Sequence, residues 1–283
     1  MPELPEVEVL ARHLRPLLLG KTIRSVAVRR EKVLRPTPPA RFKKILCGAR
    51  FLRLQRRGKY LIFELRSKKT REKFFLLGHL GMTGRMYLAP KSEPLPKHAA
   101  VIFSLGARNF IYEDTRYFGR LTLDHSAAEK LGLEPWAAAL TPALFHQKLK
   151  TSRQPVKVKL LDQALIAGVG NIYASEALFR ARISPRRAAD KISMALAGKL
   201  LAAIREVLRE AIDCGSTIPL NFAAQKTDGL FYFGRAPGAP DYYAERLWVY
   251  DRAGQPCVKC GFPIKRVIQS ARSTFFCPRC QKD

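Results

Sequence analysis

Up to Gly20 the apolar residues recur with a helical period, and beyond it the period shortens. Val7, Leu10, Ala11, Leu14 and Leu17 or Leu18 mark one face of a helix that Pro16 and Gly20 are expected to end. After Gly20 the alternation predicts short strands at Ile23 to Val28, Ala49 to Leu54, Tyr60 to Leu65, Phe74 to Leu77, Ala99 to Leu105, Asn109 to Tyr112 and Arg120 to Leu123. Turn residues separate them, including Arg57-Gly58-Lys59 and Gly106-Ala107-Arg108. That many short strands in about 100 residues predict a β-sandwich or flattened barrel. Past Asp124 the helical period returns, at Leu144 to Lys150, Val156 to Leu165, Asn171 to Ala181 and Ile192 to Ile212, the last with Asp190 as N-cap. From Thr217 to Pro240 the chain is rich in glycine, proline and aromatics, which predicts a long functional loop.

Charge gives these elements a partner. The 283 residues hold 51 Lys and Arg against 23 Asp and Glu, a net charge of +28. The cations are interleaved with apolar positions, so the excess belongs to folded surface and makes a polyanion, most commonly nucleic acid, the expected partner. No apolar run approaches the roughly 20 residues of a membrane span, and Glu3, Glu6 and Glu8 interrupt any signal peptide, so a cytoplasmic protein is expected.

Cysteine spacing gives the firmest site. Cys257-x2-Cys260 and Cys277-x2-Cys280, with sixteen residues between the pairs, match a tetrahedral structural zinc site, with iron in the same cage as the alternative. The intervening residues are expected to form a β-hairpin with Arg272-Ser273-Thr274 near its tip, a basic finger suited to a nucleic-acid groove. At the other end of the chain, removal of Met1 would leave the secondary amine of Pro2. Such an amine titrates near pH 8 and is a nucleophile toward an anomeric carbon, with Glu3 or Glu6 within reach as general acid or base. Read locally, the same residues fit an ordinary helix start. Gly168-Val169-Gly170-Asn171 fits either a phosphate-binding helix N-terminus capped by Asn171 or a plain interhelical turn, with Lys157 and Lys159 upstream. Lys59 reads as a turn lysine. Met82 and Phe118, apolar side chains beside glycine and arginine, fit either core packing or wedges pushed into a base stack.

Together these residues resemble the bacterial formamidopyrimidine-DNA glycosylases, which share a superfamily with endonuclease VIII. The resemblance runs from Met1-Pro2-Glu3-Leu4-Pro5-Glu6-Val7-Glu8 through Gln55-Arg56-Arg57-Gly58-Lys59-Tyr60, His79-Leu80-Gly81-Met82-Thr83-Gly84 and Gly168 to Glu176, to the four-cysteine finger. It implies an α+β multidomain chain: a catalytic β-sandwich at 1–130, a helix–two-turns–helix domain with a lesion-capping loop at 131–240 and a zinc finger at 241–283. One structural zinc, double-stranded DNA bearing damaged bases, a monomeric state and a bacterial, nucleoid-associated location are implied as well. The activity implied is removal of oxidised purines followed by β- and δ-elimination. Pro2 would be the nucleophile, Glu3 the general acid, Lys59 a proton donor in β-elimination, Glu6 a support, and Arg272 a phosphate grip that assists δ-elimination. Met82, Arg116 and Phe118 would fill the gap left by the flipped nucleotide; Asn171 and Lys157 would hold phosphates and His98 would contact DNA. Arg153 stands beside Ser152, where the family often carries lysine, Ala100 where a second histidine is common, and Thr115-Arg116-Tyr117 where Pro-Arg-Arg is frequent. The alternatives are the same chemistry on oxidised pyrimidines, a catalytically silent DNA-binding relative, and a basic zinc-ribbon ribosomal or transcription factor.

Overall fold

The computed structural model describes residues 2–215 and 247–282. Met1, the loop expected from Thr217 to Pro240 and the boundary drawn at 240 lie outside the described residues. Two compact units divide in sequence between Glu129 and Lys130.

The first unit opens with helix α1 (Leu4–Leu18), which begins earlier than the apolar stripe because Leu4-Pro5 occupies its first turn. Pro16 lies inside this helix and does not end it; so near the C-terminus its missing N–H removes a single ladder bond. Eight strands follow: β1 (Ser25–Val28), β2 (Arg50–Arg57), β3 (Tyr60–Arg66), β4 (Lys73–His79), β5 (Arg85–Pro90), β6 (Ala99–Ser104), β7 (Arg108–Glu113) and β8 (Arg120–Thr122). They form two four-stranded antiparallel sheets, ordered β1-β6-β7-β5 and β2-β3-β4-β8, the sandwich of the two forms expected, with one strand more than the seven the alternation predicts. Phe51 and Phe63 from one sheet meet Phe110 of the other at ring distances of 6.2 and 5.8 Å, and Phe110 stacks on Phe103 at 5.6 Å. The sheets therefore face each other across an aromatic core that Val7, Leu10, Ala11 and Leu14 of α1 extend. Strand β5 and helix α2 (Pro39–Leu46) escape the sequence pattern. The strand lies at a sheet edge with only Met86 fully buried, and the helix buries only Phe42 and Leu46. A short helix α3 (Ser126–Glu129) ends this unit.

The second unit carries α4 (Pro142–Lys150), α5 (Val156–Leu160), α6 (Asn171–Arg180) and α7 (Met194–Asp213). Helix α5 ends at Leu160, short of the expected Leu165. The chain turns there because Gln163 donates to the Leu161 and Val169 carbonyls and accepts from Gly168 N–H, closing the two turns between α5 and α6. Helix α6 is buried on every side from Ile172 to Phe179. Ser193, not Asp190, caps α7: its Oγ accepts the Leu196 N–H at 3.3 Å, whereas Asp190 belongs to the preceding 3-10 turn. Strands β9 (Lys265–Gln269) and β10 (Arg272–Phe276) form the expected hairpin, turning through Ser270 and Ala271 in the left-handed region.

Candidate active site

Glu3 caps α1 in extended conformation, and Glu6 Oε2 accepts the Glu3 backbone N–H at 2.7 Å. Pro2, Glu3 and Glu6 are all buried, at the end of the helix where its dipole favours carboxylates. One turn further, Glu8 receives Arg12 Nε and Arg56 Nε, each at 2.9 Å. Burial works to raise the Glu8 carboxyl, but the Arg56 and Arg12 guanidiniums outweigh it and hold it below the ordinary range. Arg56 also donates through Nη1 to the Gly58 carbonyl at 3.1 Å, and Arg15 Nε donates to the Leu54 carbonyl at 3.2 Å. These contacts register α1 along β2, Arg15 beside Leu54 and Glu8 beside Arg56. Continued by one more turn, the same direction brings the helix N-terminus toward Gly58-Lys59. Lys59 is only 7% exposed there. Across the hairpin Tyr60 pairs with His79, ring to ring at 4.8 Å. Burial, then the charges of Lys59 and Arg120, push the His79 imidazole down to about 4. Its neutral Nδ1 accepts the Gly81 N–H at 3.2 Å, linking the lysine turn to the Met82 loop.

Met82 and Phe118 are exposed at 44% and 50%, so neither is core, and the Arg116 guanidinium lies 4.9 Å from the Phe118 ring centre. Their two loops are pressed backbone to backbone: a Cβ on Gly81, whose φ is +62°, would sit 2.5 Å from Gly119 N. Asp114, fully buried, ties them together. Its Oδ1 accepts Thr83 Oγ1 at 2.6 Å and Arg116 N–H at 3.1 Å, and its Oδ2 accepts Gly119 N–H at 2.9 Å. His98 is half-buried with Nδ1 3.4 Å from the Tyr117 hydroxyl, which also receives Arg30 Nε at 3.1 Å. Ala100 is sealed in the core.

In the second unit Gly170, not Asn171, is the N-cap of α6. Asn171 instead turns its amide to the finger, Nδ2 donating to the Ser273 carbonyl at 2.9 Å. Lys157 is fully buried, and its ammonium donates to Asn171 Oδ1, to Thr274 Oγ1 at 2.9 Å and to the Ser273 carbonyl at 3.2 Å. The ammonium thus meets these three protein oxygens, and the side chain is closed to solvent. Glu176, also buried, accepts the backbone N–H groups of Trp248, Val249 and Tyr250 at 2.8 to 3.0 Å and so anchors the segment leading into the finger. Burial pushes its carboxyl up, against those three donors and Arg180. Arg272 is exposed at the start of β10, one residue past the hairpin turn, and Arg153 is exposed before α5.

The four cysteine sulfurs lie within 4.8 Å of one another, with Cys257 to Cys280 at 3.9 Å and Cys260 to Cys277 at 3.5 Å. Tetrahedral zinc with Zn–S bonds of about 2.3 Å requires sulfurs about 3.8 Å apart, so the cage fits the ion. Lys259 N–H and Cys280 N–H point at Cys257 and Cys277 sulfurs at 3.4 Å, bonds that favour thiolate. Sequence reasoning assigned no site role to Arg56, His79, Asp114 or Glu176, and none to Glu8 beyond the charge of a helix start. Only the charge of Arg56 beside the Gly58-Lys59 turn could have drawn attention to it.

Family models match along the chain: the formamidopyrimidine-DNA glycosylase N-terminal domain over residues 1–121, its H2TH domain over 131–221, and the zinc finger found in FPG and IleRS over 254–282. The formamidopyrimidine-DNA glycosylase of Thermus thermophilus is 41% identical, over 99% of this chain and 98% of its own length. That of Paraburkholderia phymatum is 38% identical over the whole of both. Among solved structures, Lactococcus lactis Fpg bound to DNA with an abasic site superposes with a TM-score of 0.86 at 32% identity, over 99% of this chain and 100% of that one. MutM with DNA containing carbocyclic 8-oxo-G gives 0.87 at 33%, over the whole of both chains.

Proposed function

The chain belongs to the formamidopyrimidine-DNA glycosylase family of base-excision repair enzymes, glycosylases and lyases of damaged DNA, and from that premise we propose that its own substrates are duplexes carrying 8-oxoguanine or formamidopyrimidines. The observation that supports the reading is the registration of α1 on β2 through Arg15–Leu54 and Glu8–Arg56–Gly58, beside the buried Lys59; removal of Met1 would free the Pro2 amine at the start of that helix, next to Glu3 and Glu6.

Pro2 N attacks C1′ of the flipped nucleotide while the bond from C1′ to the damaged base breaks, and Glu3 supplies the proton the departing base takes. The sugar ring opens to an iminium ion on Pro2. This acidifies C2′, so loss of its proton expels the 3′ phosphate, and a second elimination expels the 5′ phosphate. Lys59 delivers protons in the first elimination and Arg272 holds the phosphate in the second, while Glu6 fixes the Glu3 backbone. Met82, Arg116 and Phe118 fill the space the base vacates, presented by loops that Asp114 holds together. Asn171, His98 and Arg153 contact the DNA backbone. Lys157 serves differently from the role its place in the family pattern implies: it fastens the finger to α6 so that Asn171 and Arg272 keep a fixed spacing. One zinc ion in the Cys257, Cys260, Cys277 and Cys280 cage holds the hairpin's shape and takes no part in the chemistry. The enzyme works as a monomer in the bacterial cytoplasm on nucleoid DNA.

Single-turnover incision tests the substrate assignment on duplexes carrying one 8-oxoguanine or one oxidised pyrimidine. Faster cutting of the purine lesion is expected. Faster cutting of the pyrimidine lesion would place the chain with endonuclease VIII, and binding without cutting would make it a silent relative.

A further inference from the structure

A cavity of about 720 Å³ opens in the first unit at the end of the β2–β3 hairpin opposite Lys59. Arg24, Arg50, Arg66, Lys68, Lys69 and Arg71 line it, and no Asp or Glu does. All six are exposed, and none forms an ion pair among the described residues. Arg50 and Arg66 stand directly opposite each other in the β2–β3 register, an arrangement that like charges disfavour. The fold also makes room for these cations. A Cβ on Gly48 would come within 3.1 Å of Lys68 Cδ, and one on Gly106 within 3.3 Å of the Arg24 guanidinium. Six unneutralised cations around a concave surface repel one another unless a polyanion joins them.

We propose that this cavity is a second phosphodiester-binding site, separate from the lesion site. Arg50 and Arg57 stand at opposite ends of β2, seven residue steps apart; at about 3.3 Å per step that is roughly 23 Å. A backbone held there is either the flank of the lesion duplex or a second duplex, and both present the same phosphates. A second grip of this kind would let the enzyme stay on DNA while its lesion site is released, which favours transfer between segments over free diffusion.

Cys47 gives a local readout, since its exposed thiol lines the cavity. The full zinc-loaded chain is first saturated with a short abasic-analogue duplex of about one helical turn (~10 base pairs). Maleimide alkylation of Cys47 is then followed by peptide mass with and without a second, undamaged short duplex. At least a threefold slowing by the second duplex, reversed by salt, is expected. Slowing by a long lesion duplex alone identifies the flank as the source and still supports the site. No slowing with either, or equal slowing by polyglutamate, overturns the proposal. The triple variant Lys68→Ser, Lys69→Ser, Arg71→Ser should abolish the protection and lower the salt slope of undamaged-duplex binding by about 2 to 3. Its incision of a short lesion duplex should be unchanged. Ser67→Glu, a single added carboxylate, should weaken the protection and lower the slope by about 1 without removing any side-chain packing of the lysines. Loss of incision in both variants would merge the cavity with the lesion site and refute the separation.

Discussion

Replacing Lys157 with methionine keeps the length and apolar stem of the side chain and removes its ammonium. The change deletes three hydrogen bonds and leaves Thr274 Oγ1, which is fully buried, and Asn171 Oδ1, which is partly buried, without this donor, while the Ser273 carbonyl keeps its bond from Asn171 Nδ2. Each orphaned buried acceptor costs about 1–3 kcal/mol, and relief of the buried charge returns part of that, so a loss of about 3 kcal/mol is expected. At roughly 2–4 °C per kcal/mol for a unit of this size, Tm should fall by about 6–12 °C. Thermal unfolding of the zinc-loaded variant measures this, and anisotropy on an abasic-analogue duplex at several salt concentrations measures the binding slope. A fastening lysine predicts a lower Tm with an unchanged slope. A Tm within about 2 °C of the parent, with the slope reduced by about 0.9, would show that Lys157 neutralises a phosphate and refute the reasoning.

Arg56→Ala should lower the single-turnover rate more than tenfold with little change in KM, because it frees the Lys59 turn from α1 without touching DNA. Arg56→Lys should recover stability better than rate, since it restores charge beside Glu8 but not the second arm to Gly58; equal recovery of both would argue against a positioning role. Cys277→Ala should release zinc, read with a chromophoric chelator, and weaken duplex affinity; intact affinity after metal loss would remove the finger from the interface. His79 should stay neutral by NMR until about pH 4. Because the unfolded imidazole takes its proton first, near pH 6.5, this residue withdraws stability as pH falls from about 6.5 to 4 and adds no further change above that window. A midpoint near 6.5 in the folded protein would contradict the burial.

What could be read in the sequence was what short spacing encodes. The cysteine pairs and the alternating strands each need only neighbours, so their clustering and period survive without coordinates; the chemistry proposed for the Pro2-Glu3 terminus likewise rests on adjacent residues. The partners of Lys157 lie up to 117 residues away, and those of Asp114 and Arg56 up to 31 and 48. Nothing local distinguishes a lysine that will be sealed against a finger from one that will face a phosphate. Asp190 and Asn171 are sound cap residues by type, but the caps fall at Ser193 and Gly170 because tertiary contacts claim the neighbouring turns. Edge strand β5 escapes the pattern for a related reason: with one face barely buried, its sequence has no need to alternate.

The central claim is that the N-terminal secondary amine carries the chemistry, and borohydride trapping tests it most directly. On a duplex with a single 8-oxoguanine, reduction should give a covalent protein–DNA adduct whose linkage maps to Pro2 by peptide mass, and Pro2→Gly should lower the yield while sparing affinity for an abasic analogue. An adduct mapped to a lysine, or none at all from protein shown to lack Met1, would contradict the account.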